Sequence, residues 1–232
     1  MEAEVLEETI SFYRDNIYKL EQFRVSVETL FQKDPSLYDS RLPIVHSIKA
    51  RIKDPNHLKD KILRKMETDN FVINKTNLFS AITDLVGVRV LHLYQDQFPK
   101  IHSVIQKQIN EGEWCYLEEP KAYSWDPETK KMYDSLGLNS EIKDSYYTSV
   151  HYVVKPNNSN PNPVCCEIQV RTLFEEIWGE ISHSINYPHE TNSIACKEQL
   201  KVLSKLVSTG TRLADSIFRS HQEWKKKVNR SF

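Results

Sequence analysis

The sequence predicts an α/β (α+β) fold: a mixed central β-sheet of about five strands flanked by helices, with helical N- and C-terminal extensions. Three observations carry that expectation. Residues 82–94 are dense in β-branched side chains and end in a polar turn, the pattern of a buried strand. Both ends of the chain carry apolar residues at helical spacing. Between them strand-like and helix-like segments alternate, an order that packs helices against a sheet.

From the N-terminus, Val5, Ile10, Tyr13, Ile17, Leu20, Val27 and Leu30 share a stripe and predict one long amphipathic helix over 4–31. Lys33-Asp34-Pro35 ends it, and 36–42 read as a short connection. A basic segment follows, with Pro55 just ahead of a helix over 56–68. Thr76 or Asn77 caps a short helix towards Ile82, which leads into the strand. Ile101, Val104, Ile105 and Ile109 predict a helix over 98–110, and 114–123 a second strand. Residues 124–143 form a polar excursion with little periodicity.

Residues 146–155 are strand-like and stop at Pro156, and 156–163 are almost pure turn composition. Residues 164–172 return as a strand, so the two predict an antiparallel pair. The helix over 173–185 carries Phe174, Ile177, Trp178 and Ile181 on one side. The last segment, 193–228, places Leu200, Leu203, Leu206, Leu213 and Ile217 near a three-four repeat, packed on the domain or on another subunit. One domain is expected over 1–232: an N-terminal helix in 1–40, a core in 41–190 and a C-terminal helix in 191–232.

The formal net charge is −1, which argues against a protein whose main task is coating nucleic acid. The charge is uneven, however. Residues 46–66 hold Lys49, Arg51, Lys53, Lys59, Lys61, Arg64 and Lys65 against Asp54 and Asp60, a cluster that suits a small polyanion such as a nucleotide, or else a solvated helix face. No run of apolar residues approaches membrane-spanning length, and the acidic N-terminus lacks a signal peptide's layout. Cys115, Cys165, Cys166 and Cys196 form no C-x-x-C pair, which fits a reducing cytoplasm rather than a disulfide framework or zinc site.

The five glycines are too scattered for a P-loop or a G-x-G-x-x-G fingerprint, so phosphates would be handled by side-chain cations and metal-bound carboxylates. Alternation along 164–172 puts Glu167, Gln169 and Arg171 on one face and Ile168 and Val170 on the other. That pattern also describes an edge strand with one wet side. A second carboxylate, Asp84, begins the other strong strand and is followed by Arg89. Two carboxylates on adjacent strands can hold Mg²⁺, a hard ion that keeps waters for phosphate exchange.

These residues carry a resemblance. Asp84-Leu-Val-Gly-Val-Arg89 resembles the D-L-x-G-x-R of RelA/SpoT synthetases, and Glu167-Ile-Gln-Val-Arg-Thr172 with Trp178 and His183 resembles their E-I-Q-I-R-T…W-x-x-x-x-H. Arg51-Ile-Lys53 with Lys61 resembles the family's basic element, and Tyr147-Thr-Ser-Val-His151 its G-Y-x-S-x-H. The four motifs stand in order over about 46–187.

The resemblance implies a nucleotidyltransferase-like fold and a Mg²⁺-dependent reaction, transfer of the β,γ-pyrophosphate of ATP to the 3′-hydroxyl of GDP or GTP. It places Asp84 and Glu167 at the metal, with Glu167 completing the metal site or accepting the hydroxyl proton. Arg51, Lys53, Lys61 and Arg89 fall on the ATP phosphates. Tyr147, Lys143, His151 and Gln169 fall on the acceptor side, with Tyr147 under the base, while Arg171 and His183 support Glu167.

The departures cluster on the acceptor side. Tyr146 stands where the family usually has Gly, and 140–145 lack its D-Y-I-x-x-P-K run; His57 replaces a serine of the basic element. Two other readings therefore stand beside the guanosine alarmone synthetase. One is a toxin-like relative that modifies an adenine nucleotide or the 3′ end of tRNA, for which the basic residues 225–230 offer either an RNA-docking segment or simply a solvated terminus. The other is a silent nucleotide-binding module, against which the retention of Asp84 and Glu167 argues. No hydrolase domain or regulatory tail is recognisable, which implies a small synthetase unless the chain is a fragment. Small relatives suggest a homo-oligomer.

Overall fold

The computed structural model describes residues 2–38, 42–69, 71–143, 145–158, 160, 163–187 and 190–229. Its centre is a mixed sheet of six described strands, one more than expected, in the order β1-β2-β6-β5-β3-β4. The strands are β1 (Ser47–Ile52), β2 (Val86–His92), β3 (Trp114–Tyr123), β4 (Asn139–Glu141), β5 (Ser149–Pro156) and β6 (Cys166–Thr172). β2 runs parallel to β6 and β3 to β4, while β5 and β6 form the predicted antiparallel pair.

The two strands that the sequence leaves unassigned, β1 and β4, have local causes. β1 lies inside the basic segment, where Lys49 and Arg51 alternate with Ile48, Ala50 and Ile52 and mask a half-buried strand as a charge run. The polar excursion holds α6 (Pro127–Ser135) and β4. Asp126 caps α6 by accepting from the Thr129 N–H at 3.0 Å, and Pro127 fits the first helical turn.

The N-terminal stripe forms two helices, α1 (Glu2–Asp15) and α2 (Ile17–Lys33), instead of one. At Asn16 the backbone leaves helical geometry (φ −108°, ψ 5°), and the side-chain amide donates to the Phe12 carbonyl at 2.8 Å. Both halves still bury one stripe, including Tyr13, Leu20, Phe23, Val27 and Phe31.

One sheet face is the core. Val86, Val88, Val90, Ile168, Val170, Val150 and Val154 are buried there beneath α2 and α5 (Phe98–Asn110). Each such side chain contributes about 1.5–3 kcal/mol relative to exposure. The opposite face is partly covered by α7 (Leu173–Asn186), on which α8 (Ile194–Asn229) packs, and α3 (Pro55–Asp69) follows β1. The short helix α4 (Leu78–Ala81) precedes β2.

α7 is turned differently from its apolar pattern. Phe174, Ile177 and Ile181 are exposed, whereas Glu175, Glu176 and Trp178 are buried. Trp178 anchors α8 by donating its indole N–H to the Leu200 carbonyl at 2.9 Å. Along α8, Leu200, Ser204, Val207, Thr211 and Asp215 are buried, and Leu206, Leu213 and Ile217 of the expected repeat face solvent. No helix among the described residues is long and apolar enough to cross a membrane.

A capping box starts α7: Thr172 N–H donates to Glu175 at 2.6 Å, and Glu175 N–H donates to the Thr172 hydroxyl at 3.2 Å. Burial outweighs those bonds and pushes the Glu175 carboxyl from 4.5 up to about 7. The folded state thus holds a proton that the unfolded chain releases. Stability falls by about 3 kcal/mol as pH rises from 4.5 to about 7. Glu175→Gln, which keeps the capping acceptor, is expected to raise the urea midpoint clearly at about pH 8 and little at about pH 5.

Candidate active site

Strand register assembles the site on the open face. Residues side by side across β1, β2, β6 and β5 form two rows: Arg51, Gly87, Glu167 and Val153, then Lys49, Arg89, Gln169 and His151. The β1, β2 and β6 members of these rows and the overlying α7 line a cavity of about 670 Å³. Of the residues singled out in the sequence, Arg51, Arg89, Tyr147, Glu167, Gln169, Arg171 and His183 line it.

At the β1 end, Asp84 sits between two ammonium groups, Lys53 Nζ at 3.0 Å and Lys61 Nζ at 2.7 Å. Burial pushes the Asp84 pKa up, but the two lysines outweigh it and hold the carboxyl below its ordinary value. The same pair reads oppositely at Lys53, where burial outweighs the attraction of Asp84 and lowers the ammonium pKa. The asymmetry is physical: Asp84 has two opposite charges, whereas Lys53 shares one carboxylate with Lys61 and also feels Arg51.

Glu167 is mostly buried. His151 Nδ1 lies 3.1 Å from one oxygen, and the Gln169 amide donates to the other at 2.8 Å. Burial raises its pKa, but His151 and Gln169 outweigh that effect and the carboxyl is held below its usual range. Because an ionised carboxylate can only accept, His151 donates from Nδ1; in the neutral imidazole, Nε2 then accepts from the Tyr147 hydroxyl at 2.9 Å. A Tyr147–His151–Glu167 chain results. The Tyr147 ring also contacts Tyr123, Trp178 and the Arg171 guanidinium. Tyr146, at the position of the family's Gly, takes the left-handed conformation (φ 64°) and packs on Trp125. Lys143 lies outside the cavity lining, over the Tyr123 ring at 4.5 Å and 3.4 Å from Glu141.

Arg171 and His183, the expected supports of Glu167, engage other groups. Arg171 pairs with Glu176, and His183 stacks on Tyr187 at 4.7 Å. Glu176, absent from the sequence-based site, gathers three cations from three strands: Lys49 of β1 at 2.7 Å, Arg89 of β2 at 3.3 Å and Arg171 of β6. Arg89 also pairs with Glu180. The only sequence signal for Glu176 is an acid in a helix's first turn, which reads equally as dipole complementarity.

Arg171 reaches Glu176 beneath Gly179, where an added Cβ would lie 2.5 Å from its Nη1. Arg171 is only 3% exposed and is paired with Glu176, so moving it aside gives up a buried ion pair. Gly179→Ala is therefore expected to cost about 1–3 kcal/mol in stability, read from urea denaturation, and to dislodge Arg171.

Among the described residues, no group of three or more His, Cys, Asp or Glu side chains forms a ready metal cage. The carboxylates Asp84 and Glu167 sense each other's charge, and they supply hard oxygens of the kind Mg²⁺ takes together with nucleotide phosphates and water. The residues thus fit an ion that arrives with its nucleotide.

Sheet order, helical layers and the cleft over β1, β2 and β6 define a protein with the small alarmone synthetase fold. Small alarmone synthetase 1 from Bacillus subtilis superposes with a TM-score of 0.65 at 18% identity, over 91% of this chain and 98% of that one. A GTP pyrophosphokinase family protein from Streptococcus pneumoniae does so with a TM-score of 0.66 at 19% identity, over 92% and 94%. The chain belongs to the RelA/SpoT family: the family model described as "Region found in RelA / SpoT proteins" matches residues 50–192. The Bacillus subtilis protein has also been solved with its product pppGpp (TM-score 0.65, 19% identity, 90% and 97% covered) and with AMPCPP (TM-score 0.62, 19% identity, 92% and 98% covered). No curated protein sequence matches the chain.

Proposed function

We propose that this protein is a Mg²⁺-dependent pyrophosphokinase that transfers the β,γ-pyrophosphate of ATP to the 3′-hydroxyl of GDP or GTP. The observation that carries this reading is the Asp84–Lys53–Lys61 cluster, set just before β2, close enough for Asp84 to act on the charge of the ionised Glu167 on the neighbouring strand β6. The structural relative solved with an ATP analogue and with pppGpp supports the same pair of nucleotides.

Lys53, Lys61 and Arg51 hold the migrating pyrophosphate, where negative charge grows during transfer. Asp84 and Glu167 would hold Mg²⁺, which would supply positive charge to neutralise the phosphate oxygens. Glu167 receives the proton of the acceptor 3′-hydroxyl as its oxygen bonds to the β-phosphorus. The bond from that phosphorus to the α,β-bridging oxygen breaks, and AMP leaves with that oxygen. His151, backed by Tyr147, keeps the Glu167 carboxylate oriented. Tyr147, Gln169 and Lys143 serve the acceptor side, and Glu176 sets the spacing of Lys49, Arg89 and Arg171 in the same cleft.

The test is incubation with γ-labelled ATP, Mg²⁺ and GDP, GTP, AMP, ADP, ATP or bulk tRNA in turn. Labelled guanosine tetra- or pentaphosphate, abolished by chelator, is expected. Label on an adenine nucleotide or tRNA would retain the transfer and replace the acceptor, and no label on any acceptor would overturn the reading. We further propose that a second copy covers the exposed α8 stripe of Leu206, Leu213 and Ile217; a monomer at micromolar concentration in sedimentation would refute this.

A further inference from the structure

One of the two lysines seated on Asp84 is itself held from a distant part of the chain. Lys53 is fixed at three points. Its N–H donates to the Leu85 carbonyl at 2.9 Å, its ammonium meets Asp84 at 3.0 Å, and its carbonyl accepts from the Tyr13 hydroxyl at 2.5 Å. Tyr13 comes from α1, is fully buried, and spends its one polar side-chain atom on this bond.

The carbonyl lies at a joint. The next residue, Asp54, opens α3 by accepting from the Asn56 N–H at 2.8 Å and the His57 N–H at 3.3 Å. α3 then delivers Lys61 to the other oxygen of Asp84 at 2.7 Å. Both cations on Asp84 therefore depart from the point that Tyr13 grips. The other polar ties from α1 to this region among the described residues, Glu7–Lys59 and Glu8–Lys75, are surface ion pairs and constrain geometry weakly, and the apolar contacts of α1 carry no direction to the lysines.

We propose that Tyr13 is a positioning residue for the donor end of the site, setting the spacing of Lys53 and Lys61 about Asp84 through the Lys53 carbonyl. The proposal rests on the pyrophosphokinase reading. Burial, with the charges of Asp54 and Asp84, pushes the Tyr13 hydroxyl up to about 12, so it remains a donor at neutral pH. The helical N-terminal region is thereby part of the donor seat. Small displacements of such cations weaken transfer more than their bond energies alone suggest.

The experiment compares Tyr13→Phe with the parent in steady-state transfer, varying ATP and acceptor separately. A rise of roughly fivefold to tenfold in the KM for ATP is expected, with the acceptor KM within about twofold of the parent. Tyr152→Phe is the control. It loses a buried bond to His102 at 2.8 Å and lies on the opposite sheet face, so both KM values should stay at parental levels. An unchanged ATP KM in Tyr13→Phe, equal rises for both substrates, or the same split in Tyr152→Phe would overturn the assignment. If the parent transfers pyrophosphate to no acceptor, the pyrophosphokinase reading fails separately. Calorimetric titration of Mg²⁺-ATP into parent and Tyr13→Phe then decides, with weaker binding to the variant sustaining the proposal and equal or absent binding refuting it.

Discussion

Glu167→Gln is expected to lower pyrophosphate transfer by roughly 10²–10⁴-fold while leaving the fold and the thermal midpoint near those of the parent. The substitution keeps the shape of a mostly buried side chain in a row between Gly87 and Val153. One amide oxygen can still accept from His151 or from Gln169, so the local network is not emptied. What disappears is the negative charge, and with it a proton acceptor and a metal oxygen. Because His151 and Gln169 hold the Glu167 pKa below its ordinary 4.5, the acid limb set by this group lies below 4.5. No acid limb from this group is therefore expected as pH falls towards 4.5, and the pH profile of kcat/KM, which reports the free enzyme, checks this. Parental activity in Glu167→Gln would displace the chemistry from this carboxylate.

Asp84→Asn is expected to abolish transfer as well, with a loss of about 2 kcal/mol in stability that Glu167→Gln does not share. The neutral amide leaves Lys53 and Lys61 facing each other without the carboxylate that reconciles them, and Lys53 is only 10% exposed. The sign of the pH dependence follows from the lowered Asp84 pKa. Its contribution is present above the unfolded value of 3.8 and is lost as pH falls through the lower folded value. The stability gap between parent and variant should stay constant near neutrality and close only in strong acid, as read from urea midpoints across pH. A variant as stable as its parent at neutral pH would show that the lysines do not depend on Asp84.

Much of this architecture was legible locally. α5 and β3 occupy the segments that their periodicity predicts, and the turn-rich 156–163 stretch separates the expected β5–β6 pair. The alternation in β6 placed Glu167, Gln169 and Arg171 on one face, because successive strand side chains must oppose each other. The ordered motifs led to the family that residues 50–192 match. β1 escaped because its exposed positions are cationic, so a strand period looked like a charge cluster. The Asn16 break escaped because a single amide–carbonyl bond interrupts a helix without disturbing its apolar stripe.

The sequence by itself determined the types of most elements, the two faces of β6, and the chemical inventory of lysines, arginines and two carboxylates without a glycine-rich phosphate loop. Only the tertiary structure decided which groups meet. β2 and β6 became parallel neighbours, α7 turned Glu176 inward and its isoleucines outward, and Tyr13 reached Lys53 across 40 residues. The reason is physical: periodicity records each segment's local backbone preference and its two faces. What lies opposite a face depends on long-range register and packing, where buried charges settle beside whichever partners compensate their desolvation.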